Sequence, residues 1–167
     1  MINYRQNELT VVNGLQDWLA SKGFKCPVIM ANQTAPTPEG DYMSYTVTSP
    51  VVSDTAHYSV AEDGTRYKSL NQIWSFTAQS ADDVRATNIA LLAYDWFALT
   101  GNTYLSDNDI IALNVGNITN RDNLLTIEYE YRRGFDVTLS LLHTLDKADC
   151  ETAGHIETAD ITPIKEV

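Results

Sequence analysis

The stretch NLLTIEYEYRRGFDVTLSLLH, residues 123–143, constrains the fold more than any other part of the chain. Side chains on a strand point to opposite faces with a period of two. Leu125, Ile127, Tyr129, Tyr131, Phe135, Val137, Leu139 and Leu141 fall on one face, interrupted only by Arg133. Thr126, Glu128, Glu130, Arg132, Asp136, Thr138 and Ser140 fall on the other. This pattern predicts an antiparallel strand with one buried and one wet face, and a slip of one residue would invert it. Residues 124–142, fully extended, would span roughly 60 Å, whereas a compact chain of this length should be only about 40 Å across. Two solutions are expected: a bend at Gly134, where a bulge costs least, or an end that projects onto a neighbouring subunit.

The rest of the chain sets the outer limits. With 167 residues, 44% of them hydrophobic and 20% charged, it is expected to be one soluble domain with a real core rather than a disordered segment. No run approaches the ~20 apolar residues of a membrane helix, and the polar N-terminus lacks a basic-then-apolar signal pattern, so a cytoplasmic location in the host is expected. Cys26 and Cys150 do not make a disulfide framework, and reduced thiols are expected, with Cys26 buried beside Pro27. A net charge of -11, from 22 acidic and 11 basic residues, argues against affinity for a polyanion.

Along the chain, residues 8–22 carry Leu9, Val12, Leu15 and Leu19 at helical spacing, with Asn7 as N-cap and Gly23 as the stop. Residues 27–32 form a short apolar strand, a Pro-rich loop comes next, and alternation resumes over 42–48. Residues 49–69 are a hairpin turning at Asp63-Gly64 or a loop. A strand over 73–79 leads into a second helix capped by Ser80, with Asp83 three residues on, running to about Thr100 with Ile89, Leu92, Trp96 and Leu99 inward and Gly101 as its stop. Residues 110–118 form the next strand, 119–122 the turn before the long one, and HIETADI near the C-terminus a short edge strand. The expected fold is α+β: an antiparallel or mixed β-sheet with two main α-helices packed on it, occupying residues 1–143, with 144–167 an acidic extension.

Catalytic signatures are sparse. There is no phosphate-cradling glycine loop, no Gly-x-Ser-x-Gly elbow and no Cys-x-x-Cys pair, and His57, His143 and His155 have no metal-ligand spacing. Capping explains Asp82-Asp83 more simply than paired-carboxylate chemistry, and Trp18, Trp74 and Trp96 fit a core better than a ligand cage. No catalytic residue, cofactor or metal is expected. The remaining constellation is Glu128, Glu130, Arg132, Arg133 and Asp136. It is either a solvated face that discourages edge aggregation or an interface. Successive same-face residues on one strand lie about 7 Å apart, which favours pairing of Arg132 with a partner strand or subunit. Arg133, facing inward, needs a carboxylate or backbone partner.

EYEYRRGFDVTL, preceded by VGNITNRDNLL, resembles the C-terminal part of tail and neck terminator proteins of tailed bacteriophages, in which a Glu-x-Arg-Arg-x-x-Asp-Val-like strand recurs. The likeness extends to the opening helix, the proline-rich loop before a Tyr-rich strand, and IWSFTAQSADD entering the second helix, covering residues 7–143. It implies a non-enzymatic virion protein of the tail or neck that assembles in the host cytoplasm as a ring, commonly a hexamer, on the last ring of the tail tube. There it would stop polymerisation and offer the surface for head-tail joining. Its partners would be other copies of itself, the tail tube protein and a head-tail connector protein, with DNA passing through the lumen unbound. Glu130, Arg132, Arg133 and Asp136 match the charged strand and would lie near subunit or tube contacts. A connector, stopper or adaptor at the same junction is the alternative, and a small enzyme or ligand-binding module the third.

Overall fold

The computed structural model describes residues 4–31, 36–52, 57–122 and 130–148. In chain order the described elements are α1 (Tyr4–Ser21), β1 (Val28–Met30), β2 (Tyr42–Val52), β3 (Ser59–Val60), β4 (Arg66–Ser80), α2 (Asp83–Asp95), a π-helical turn (Trp96–Thr100), α3 (Asn102–Ser106), β5 (Ile110–Val115), β6 (Thr119–Asn120) and β7 (Tyr131–Leu145). The strands form one sheet in the order β1-β2-β4-β7-β5, with β3 added to β4 and β6 to β7. Only β1 and β2 run parallel, so the sheet is mixed and the fold is α+β, as the sequence implies.

β4 and β7, 15 residues each, form the spine. They pair without a register shift from Arg66↔Leu145 to Ser80↔Tyr131. The expected bulge at Gly134 is therefore absent; the irregularities lie in β2 and β5 instead. A partner strand of equal length removes the need for a bend, and the excess length is absorbed as a projection. β2 ends opposite Asn71 and β5 begins opposite Leu141, and beyond them β4 and β7 continue as a ribbon joined by β3. Its β3-β4 turn contains Gly64 at φ 88°, the hairpin expected at Asp63-Gly64. Projection onto a neighbouring subunit is the other solution that the strand's length allows; over residues 131–145 the backbone of β7 pairs with β4 of the same chain. The first third of the expected strand, residues 123–129 with Leu125, Ile127, Glu128 and Tyr129, lies outside the described residues, and Glu130 precedes β7.

The inner face of β7 carries Phe135, Val137, Leu139 and Leu141, all buried. Phe76 is the hub, stacked on Phe135 at 5.9 Å and against Phe97 at 4.9 Å, where aromatic pairs add to burial itself. Over this face lie α1, through Val11, Leu15 and Leu19, and α2, through Ala86, Ile89, Ala90 and Ala93. The second helix departs from the heptad reading in phase: Ala86, Ile89, Ala90 and Ala93 set its inward face, and at about 100° per residue Phe97 continues that face while Leu99 falls well off it. Phe97 is buried and Leu99 is 74% exposed. Other corrections concern caps: Asn7 lies inside α1, and Asp82 rather than Ser80 caps α2. Trp74 and Trp96 are core residues, and Cys26 is buried, its thiol pushed up to about 12 by burial and by Asp41.

Candidate functional site

The charged constellation gathers where β4 ends, α2 begins and β7 starts. Asp82 accepts the Arg85 backbone N–H at 2.8 Å, starting α2 at once after β4, so that Asp83 in the first helical turn lies within reach of β7. The segment read as a turn, residues 119–122, is instead strand β6 and its continuation: Thr119 pairs with Gly134 and Asn120 with Arg133, and the Arg121 N–H donates to the Arg132 carbonyl at 2.9 Å. This pairing carries Arg121 and Asp122, which sequence reasoning passed over, into the centre of the site.

Two networks result. In the first, Arg133 donates through one guanidinium nitrogen to Asp122 at 2.7 Å and to the Arg132 carbonyl at 2.9 Å, and through the other to Asp83. Its side chain is only 14% exposed, and the requirement for a carboxylate partner is met inside the chain. Asp122 also accepts the Arg132 backbone N–H at 2.6 Å. Burial opposes its ionisation, but these bonds and that to Asn120 outweigh it and hold its carboxyl below the usual range. Arg132 meets Glu130, the residue just before β7, at 2.8 Å, whereas the spacing favoured a partner strand or subunit; the reach of the two long side chains closes the gap. Burial, with Glu130 next, pushes the Tyr42 hydroxyl up to about 12.

The second network crosses the outer face of the sheet. The Arg121 side chain lies over Gly134, where a Cβ would sit 2.7 Å from its Cδ, Nε and Cζ atoms. From there it donates to Ser75 Oγ at 2.7 Å, Thr77 Oγ1 at 3.1 Å and Asp136 at 2.9 Å, and Ser75 donates to the same Asp136 oxygen at 2.7 Å. The Ser75 hydrogen bond, and then Arg121, keep the Asp136 carboxyl below its ordinary value. Gly134 is thus needed as a passage for a guanidinium rather than as a hinge. Nearby, Asp41 binds Arg85 and Ser80; despite burial, those hydrogen bonds hold its carboxyl low.

The structure therefore brings Glu130, Arg132 and Arg133 together, ties Asp136 to them through Arg121, and leaves Glu128 outside the described residues. Counting Arg85, Arg121, Arg132 and Arg133 against Asp41, Asp83, Asp122, Glu130 and Asp136 gives 4 - 5 = -1, nearly neutral in a chain of -11. Such paired groups suit rigidity and recognition. Among the described residues, no group of three or more His, Cys, Asp or Glu is placed to hold a metal.

Comparison with protein families finds that a model described as phage neck terminator protein matches residues 9–167. The chain belongs to the phage neck terminator family. In this neck terminator the match begins within α1 and includes every described strand, both charged networks and the C-terminal residues beyond Ala148. Family membership assigns it a structural role in the neck of the virion. No curated protein sequence matches it. No helix among the described residues is long and apolar enough to cross a membrane.

Proposed function

We propose that the protein closes the head-proximal end of the tail tube as a ring of identical subunits, six by the family resemblance, stopping tube polymerisation and presenting the surface to which the head joins. The match to neck terminators over residues 9–167 carries this reading. The geometry supports it in two ways: among the described residues α1 and α2 pack on the face that carries the core, and β5 is an open edge, which leaves edge surface for a neighbour. The partners are other copies, the tube protein and a head-tail connector protein, and assembly takes place in the host cytoplasm. Six copies would carry 6 × -11 = -66 formal charges, which repels the phosphate backbone and lets DNA pass without adsorbing.

Within this reading Glu128, Glu130, Arg132, Arg133 and Asp136 lie at subunit or tube contacts. Arg132, 29% exposed, is the member to reverse, because its loss leaves the Arg133 pairs intact. Arg132→Glu is expected to keep native circular dichroism and to weaken assembly on tube ends; unchanged assembly would remove these residues from the contact. For the function itself, electron microscopy of particles made without the protein should show tails of uncontrolled length. Unjoined heads beside tails of normal length would point to a connector or stopper instead.

A further inference from the structure

Strand β5 ends the sheet, and among the described residues no strand pairs with its outer side. Its sequence, IIALNV, has no charged residue and no proline, two of the devices that blunt an edge, and its irregularity lies between Ala112 and Asn114, past residues 110–112. Ile111 is 56% and Leu113 54% exposed. Beside it, against Asn102, Thr103 and Ser106 of α3, runs a groove of about 360 Å³ whose other wall is Ile110, Ile111 and Ala112. An apolar edge with a groove beside it is a site for a strand.

The chain itself holds a candidate occupant. Residues 149–167 come after the described end of the chain, and their HIETADIT carries β-branched Ile156, Thr158, Ile161 and Thr162 before Pro163, which would end a ladder. The family match includes them. The chain reaches Ala148 beside the tip of the β4-β7 ribbon, where the Lys147 side chain lies against Gly64 on the β3-β4 turn. That tip is four residues, about 13 Å, beyond the start of β5. From there the segment would meet its own β5 at the N-terminal end and run parallel to it, the slightly weaker pairing. A neighbour's β5 imposes no such direction.

We propose that residues 149–167 of one copy add a strand to the β5 edge of the next, so that ring closure proceeds by one donated segment and one accepting edge per subunit. This inference rests on the ring reading above. A head-to-tail exchange of this kind is heterologous and closes when the rotation per subunit allows.

Complementation tests it without knowledge of the strand register. One variant lacks residues 149–167 and keeps the edge; a second keeps the segment and carries Ile111→Lys with Leu113→Lys, both at exposed positions. Circular dichroism first establishes that each is folded, with Leu113→Lys alone as the milder edge variant. Under conditions in which the full chain assembles, native mass spectrometry should find each variant monomeric and their 1:1 mixture a heterodimer that grows no further. Assembly by the truncated variant alone, or a mixture that stays monomeric, overturns strand donation and leaves the ring reading standing. A full chain that never assembles, alone or on tube ends, overturns both.

Discussion

The passage of Arg121 over Gly134 makes a prediction that depends on one contact. Gly134 lacks a positive φ, so alanine is compatible with its backbone, and the three atoms nearest the added methyl, all at 2.7 Å, belong to the Arg121 side chain. Arg121→Ala removes hydrogen bonds to Ser75, Thr77 and Asp136. Asp136 is 57% exposed, so its ionic contribution is discounted for solvent screening. The three together are worth about 2 kcal/mol. Gly134→Ala in the parent displaces the same guanidinium and loses most of that, offset by about 0.5 kcal/mol from a less flexible unfolded chain, for a net loss of about 1.5 kcal/mol. In the Arg121→Ala background the obstacle has gone, and the same substitution should stabilise by about 0.5 kcal/mol. The sign reversal is the test, and the coupling energy is about 2 kcal/mol. Urea unfolding followed by circular dichroism measures all four species. If Gly134→Ala costs the same in both backgrounds, Arg121 does not occupy the space assigned to it.

Arg133→Met should destabilise by about 2–3 kcal/mol, because it strands Asp122 and Asp83, whereas Arg132→Met should cost under about 1 kcal/mol; chemical denaturation compares them. Asp41 and Asp122 have folded pKa values below the ordinary 3.8, so their stabilisation is complete above about pH 4 and is lost as pH falls through the folded values. Thermal midpoints should therefore drop below pH 4, and Asp122→Asn should flatten part of that drop. Gly101→Ala would set a methyl 2.5–2.7 Å from the Trp96 indole, which is 3% exposed and has nowhere to move, so a loss of about 2 kcal/mol and an altered near-ultraviolet spectrum are expected.

Periodicity was the legible part of the sequence. Phe135, Val137, Leu139 and Leu141 alternate and are buried, and Ile89 and Trp96 repeat at helical spacing and are buried. The errors arose where local pattern gave a weak or misleading signal. In the second helix Leu92 and Leu99 lie to one side of the face that Ala86, Ile89, Ala90 and Ala93 set, and Phe97, four residues after Ala93, belongs to that face; small alanines are a weak signal of an inward stripe. The charged site was half legible. Arg133 as an inward cation needing a partner could be read from alternation, but its partner Asp122 lay in a segment whose Thr, Asn and Asp composition signals a turn. Only the pairing of β6 with β7 makes Arg121 and Asp122 neighbours of Gly134 and Arg133, and pairing between distant segments has no local signature. The pair of Glu130 and Arg132 shows that backbone spacing alone does not set the distance between two long side chains.

The satisfied state of the charged end bears on how copies would meet. Two identical subunits, each at -11, repel unless contact is made where charge is least. The paired cluster around Arg133 is near neutral and the β5 edge has no charge, but the two surfaces respond oppositely to salt. Contacts carried by ion pairs across the boundary weaken as the Debye length falls from about 30 Å at 0.01 M to about 10 Å at 0.1 M. Contacts carried by backbone pairing and by Ile111 and Leu113 strengthen over the same range, because only the mutual repulsion is screened. Sedimentation of the assembling protein across that range decides between them. Tighter association at higher salt is expected if the open edge dominates, and looser association would return the principal contact to Glu130, Arg132 and their neighbours.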